Sequence, residues 1–159
     1  MTSTPPPGWD VHVLVPSSQQ QAQDTVLGYL KKTLAALPPG TVIDATRYGR
    51  AGSNSPCGEA PNDSSELFSA TGDLRTAADA DAKQVVALIG ETWKSWGWYV
   101  VEQEGKYKPN RSGYSPDGYE LHVETPGAPG PPSVIGNSPC FPHSLVQDDL
   151  PFPLVVTAS

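Results

Sequence analysis

The sequence predicts an α+β fold, a two-layer sandwich in which a mainly antiparallel sheet of about four strands carries two helices on one face, with one disulfide. Three observations predict it. Two segments repeat apolar residues at spacings of three and four, as an amphipathic helix does. Residues 118–125 alternate apolar and polar side chains, as a strand with one wet face does. The only cysteines, Cys57 and Cys140, each close the same string, Asn-Ser-Pro-Cys, at 54–57 and 137–140.

Taken in order, residues 1–8 read as a Pro-rich tail, 9–142 as a single domain, and 143–159 as a Pro-punctuated tail to which no fold is assigned. Residues 9–15 alternate briefly, which predicts a short strand with Trp9, Val11, Val13 and Val15 on one face. Pro16-Ser17-Ser18 supplies a stop and a hydroxyl N-cap. Ala22, Val26, Leu30, Leu34 and Leu37 then form one helix face, with Gln19, Gln23, Lys31 and Lys32 largely elsewhere, until Pro38-Pro39-Gly40 ends the helix. Residues 41–48 are rich in β-branched side chains and predict a strand. Residues 49–65 read as a long loop containing Cys57, a length that in a compact domain is either functional or held by something. Residues 66–70 read as a brief strand or turn.

The second helix is the clearest element. Asp79 and Asp81 stand at its positive end, and Ala82, Val85, Val86, Ile89, Trp93 and Trp96 form its apolar stripe. Gly97 follows as a left-handed cap. Strands are expected at 98–104 and 118–125, separated by a polar loop at 105–117. In the second of them Tyr119, Leu121 and Val123 face one way and Glu120, His122 and Glu124 the other. A Pro/Gly connector at 127–132 leads to a last strand at 133–138.

Composition narrows the function. Ten Lys+Arg against 17 Asp+Glu give a net charge of -7, which opposes general binding to nucleic acid or an anionic membrane. No apolar run is long enough to span a bilayer. The opening residues have neither the basic nor the apolar region of a signal peptide, so the chain reads as cytosolic or as the mature part of an exported protein. The cysteines favour export, because two at matching loop positions read as one disulfide rather than two free thiols. Such a bridge is worth roughly 4–5 kcal/mol on the chain-entropy model. Without a CxxC or a neighbouring histidine they do not make a metal site, and no metal or cofactor is expected.

Catalytic signatures are absent from the sequence. There is no GxSxG elbow, P-loop or GxGxxG. His12 and His143 read as surface residues. His122, between Glu120 and Glu124, reads as part of a solvated face rather than a catalytic or metal group. Aromatics are the remaining signal. Trp93 and Trp96 belong to the helix stripe, and either Trp98 or Tyr99, but not both, is expected to be substantially buried. The candidate ligand surface, weighed against plain packing, is Trp98, Tyr99, Tyr107 and Tyr114 with His122. Lys106, Lys108 and Arg111 make the 105–117 loop the basic spot on an acidic chain.

The helix ending at 34–40, the following strand, Cys57, the amphipathic second helix, Gly118-Tyr119-Glu120 and Cys140-Phe141 together resemble the LppA-type lipoproteins of mycobacteria and related actinobacteria. The resemblance covers roughly residues 20–142 and implies a small α+β body held to the cell envelope through an acylated cysteine. The family's lipobox and N-terminal cysteine are missing, so membrane contact is expected only through a lipid anchor absent from this sequence. The leading expectation is a monomeric, exported, non-enzymatic envelope domain that binds a protein or small envelope ligand. The alternatives are the extracytoplasmic sensor domain of a membrane receptor, or a hydrolase using His122 with Glu120 or Glu124.

Overall fold

The computed structural model describes residues 11–58, 64–76, 80–148 and 150–159. Helix α1 (Gln19–Ala35) starts at Ser18, whose hydroxyl accepts the Gln21 N–H and so satisfies a first-turn donor that has no partner within the helix. Its Ala22, Val26, Leu30 and Leu34 are buried, as is Leu37 just beyond its end. Helix α2 (Ala82–Ser95) is capped by Asp81, whose carboxylate accepts the Lys83 N–H. Val85, Val86, Ile89 and Trp93 are buried, and Gly97 turns the chain out at φ 82°. Trp96 ends the stripe only partly buried, with the Lys32 ammonium of α1 at 4.4 Å from its ring centroid. Asp79 lies outside the described residues.

The sheet is larger than its sequence suggests. Among the described residues it has nine strands, all antiparallel, rather than about four: β1 Val42–Asp44, β2 Gly52–Pro56, β3 Ser65–Arg75, β4 Tyr99–Val101, β5 Asn110–Tyr114, β6 Glu120–Glu124, β7 Ser133–Asn137, β8 Phe141–Pro142 and β9 Val155–Val156. Their order is β4-β5-β6-β7-β3-β1-β9, with β2 and β8 also paired to β3. The brief strand or turn expected at 66–70 is therefore part of the longest strand. On one edge β3 pairs with β7 and β8, and on the other with β2 and β1. Its Gly, Asp, Glu and Ala residues have weak strand preference, and neighbours on both edges override it. By the same route β2 forms inside the expected 49–65 loop and β5 inside the expected 105–117 loop.

Other expected strands shorten. The 41–48 segment gives only β1 before a 3-10 turn at Thr46–Tyr48, and the 98–104 segment gives only β4. Val11 to Val15 form no strand; the His12 and Leu14 N–H groups donate to the carbonyls of Pro116 and Asp117, and Val13, Leu14 and Val15 remain exposed. Trp9 lies outside the described residues. Most of 143–159 is placed on the body: Val156 is buried where β9 pairs with β1, and the Phe152 ring lies 5.2 Å from Phe68.

Gly113, Leu121 and Gly136 stand in register across β5, β6 and β7, on the face that both helices cover. A Cβ at Gly113 would come within 2.5 Å of the Trp93 ring, and one at Gly136 within 3.1 Å of Val26. These glycines let α2 and α1 approach the strands closely.

The other face is polar. There Asp73, only 1% exposed, accepts from Arg47 at 2.7 Å and from the Tyr48 hydroxyl at 3.0 Å, with Arg75 at 3.5 Å. Burial alone would raise the carboxyl, but the hydrogen bonds from Arg47 and Tyr48 outweigh it and hold Asp73 below the usual carboxylate range. Because the folded value is depressed, this contribution is fully present above the unfolded value near 3.9 and is lost as pH falls through the folded value. Asp73→Asn should cost about 1–2 kcal/mol near neutral pH, kept modest by the exposure of both arginines. Urea titrations of both proteins should show the difference flat above about pH 5 and shrinking in acid. A difference constant down to pH 2 would refute the assignment.

Candidate functional site

The five residues of the expected ligand surface do not meet on one accessible patch. Trp98 is buried on the helix side, edge-on to Tyr29 at 4.9 Å and Trp96 at 5.2 Å, and stacked at 6.0 Å on Trp93. Tyr99 is partly exposed on the opposite face, its ring 6.0 Å from Tyr114 on the neighbouring strand, and Tyr114 is itself buried. Tyr107, at 62% exposure, projects from the 102–109 loop with its ring over Gly127. Of the three basic residues expected to make 105–117 a basic spot, two are paired with carboxylates, Lys108 with Glu104 and Arg111 with Glu102, each at 2.9 Å.

His122 lies at the centre of a hydrogen-bonded row. Its Nδ1 is 2.7 Å from Ser112 Oγ and its Nε2 2.9 Å from Glu124. Serine, imidazole and carboxylate are the residue types of a nucleophilic triad. Here, however, Ser112 is 0% exposed and its Oγ also accepts from the Gln103 side chain at 2.9 Å. No substrate carbonyl reaches an oxygen so enclosed. Asn110 beside it accepts the Gln103 N–H and donates to the carbonyls of Gln103 and Tyr107. The row therefore clamps the 102–109 loop onto β5 and satisfies buried polar groups. Among the described residues no three His, Cys, Asp or Glu side chains cluster as a metal site would need.

A different region has the shape of a binding site. The start of α1, strand β2, the beginning of β3 and residues from 143–148 and 150–152 enclose a groove of about 400 Å³. Gln19, Gln23, Arg50, Ser53, Asn54, Glu66, His143, Gln147 and Asp148 line it, with Phe68, Val146, Leu150 and Phe152. The apolar cavity between α1 and the sheet holds only about 10 Å³, too small for an acyl chain.

A relay of amides forms the wall of this groove. The Gln147 N–H donates to Gln19 Oε1 at 2.7 Å, Gln19 Nε2 to Gln23 Oε1 at 2.8 Å, and Gln23 Nε2 to the Pro151 carbonyl at 3.2 Å. Asn54 Nδ2 joins at Gln19 Oε1, 3.0 Å away. A backbone donor at one end and a backbone carbonyl at the other fix which atom of each amide is nitrogen. Asn54 Oδ1 is left as a buried acceptor with no hydrogen-bond partner among the described residues. Gln19 and Gln23, placed by their spacing largely off the apolar face, are in fact 3% and 2% exposed. Two uncharged polar residues at 19 and 23, flanking the stripe residue Ala22, were the sequence signal for this wall.

Charged groups stand around the relay. Exposed His143 pairs through Nδ1 with Glu66 at 2.5 Å. Arg50 and Asp148 are exposed, and neither forms an ion pair with a described residue. The expected disulfide is present. Cys57, just after β2, joins Cys140, just before β8, across 83 residues with Cα atoms 6.2 Å apart. It thereby ties the wall carrying Ser53 and Asn54 to the one carrying His143. Among the described residues no helix is long and apolar enough to cross a membrane.

Comparison of the chain with protein-family models, curated proteins and solved structures found no match to any of them.

Proposed function

We propose that this chain is an exported, non-enzymatic domain of the cell envelope, of the kind the LppA-type resemblance implies, and that it binds a small polar ligand in the groove beside α1. The observation that carries the reading is the groove itself, with its buried, direction-fixed amide wall and the unsatisfied acceptor of Asn54. Buried polar groups without partners are rare in folded proteins, and a binding site is one reason to keep one. The Cys57–Cys140 bridge supports export, because such bonds persist in oxidising compartments. Binding of a small molecule is favoured over a protein partner on the polar sheet face. On that face Ser112 and Asp73 are already enclosed by partners from the same chain.

The test is a thermal-shift screen of the oxidised protein against amino acids, short peptides, sugars and nucleosides, followed by amide chemical-shift mapping. A ligand that raises Tm and moves the signals of Ser53, Asn54 and Asp148 is expected. Stabilising ligands whose signals map only to the outer sheet face would overturn the groove assignment, as would a screen with no stabilising ligand. Two free thiols in protein recovered from its native source would overturn export.

A further inference from the structure

Resting on the groove reading above, we propose that the ligand is a short zwitterionic peptide. Its terminal carboxylate would meet Arg50 and its terminal ammonium Asp148, with its backbone along the amide wall between them.

The amide relay supplies the first reason. Turning the Asn54 side chain over would set its oxygen against Gln19 Oε1, an acceptor already committed to the Gln147 N–H. Asn54 therefore keeps its orientation, and the wall is an uncharged amide surface of fixed direction that suits a peptide backbone. Charge supplies the second. Of the four ionisable groups around the groove named above, Glu66 and His143 satisfy each other, leaving one cation and one anion without ion-pair partners among the described residues. A neutral sugar would use neither charge and a dianion would face Asp148 with the wrong sign, whereas a zwitterion answers both. Size supplies the third. About 400 Å³ suits a small molecule of two or three residues rather than a single ion, and Phe152 and Val146 offer apolar surface to aliphatic side chains.

The experiment titrates the full oxidised chain by calorimetry and amide chemical-shift mapping with four probes: L-Ala-L-Ala, its N-acetyl form, its C-terminal amide, and N-acetylglucosamine. Ala-Ala should bind at Ser53, Asn54 and Asp148, and blocking either end should weaken it by about tenfold or more. Arg50→Ala should bind the C-terminal amide as well as it binds the free acid. Asp148→Asn should likewise lose its preference for the free amine. Both side chains are exposed, so these variants fold. Equal affinity for free and blocked dipeptides would overturn the zwitterion while leaving the groove as a site. Groove signals that move only with N-acetylglucosamine would replace the ligand class with a saccharide. If no probe moves a groove signal, the peptide proposal fails, and the broader screen decides the fate of the groove.

Discussion

Protein lacking the Cys57–Cys140 bridge, whether reduced or as the Cys57→Ala variant, should unfold at markedly lower denaturant. The expected loss is about 4–5 kcal/mol, set by a loop whose ends are 83 residues apart. A domain of this size is typically stable by only about 5–15 kcal/mol, so the loss takes a large share of the total. The native sheet suffers as well. Cys57 donates its N–H to Ser65 and Cys140 runs into β8, so both halves of the bridge flank the first residues of β3. Opening it should weaken the groove before the rest of the fold, because Asn54 and His143 are positioned from those two flanks. Urea titration with and without reductant measures the first effect, and amide hydrogen exchange of β2 and β8 the second. A reduced protein as stable as the oxidised one would show that the bridge contributes nothing.

Trp93→Ala should be the most damaging single replacement in the core. The side chain is fully buried, covers Gly113, stacks on Trp98 and donates its indole N–H to Thr33 Oγ1 at 3.1 Å. It is thus the residue through which α2 touches both the sheet and α1. Truncation should cost about 3–5 kcal/mol, from lost burial and from the cavity left behind. Thr33 also donates to the Tyr29 carbonyl and keeps a partner, so the orphaned hydroxyl adds little. Trp93→Phe retains most of the apolar area and gives up one hydrogen bond, and should cost about 1–2 kcal/mol. Equilibrium unfolding of both variants tests the ranking; a Phe variant as weak as the Ala variant would mean that the indole hydrogen bond, not packing, dominates.

Both helices were legible because their signal is internal. The stripe from Val85 to Trp93 names the buried face without reference to any partner, and Asp81 and Gly97 mark its ends. β6 was legible for the same reason, since Leu121 and Val123 alternate with His122. By contrast, β2 reads Gly-Ser-Asn-Ser-Pro and β5 Asn-Arg-Ser-Gly-Tyr, compositions of turns. They are strands because β3 and β6 lie alongside, and Gly113 is a glycine because Trp93 occupies the space above it. The disulfide was legible from its repeated string. The groove was not, because its walls come from residues 19–23, 50–54, 66–68, 143–148 and 150–152, which only the folded chain gathers.

The edge strand at Val155–Val156 has a consequence for how the molecule assembles. It pairs with Ile43 and Asp44, more than a hundred residues earlier. A chain emerging from a ribosome in sequence order therefore leaves β1 with one open edge until Val155 and Val156 arrive. Non-local closure of this kind is slow. The early segments would spend that interval dependent on chaperones, and deleting residues 153–159 should lower the yield of folded protein more than its stability once folded.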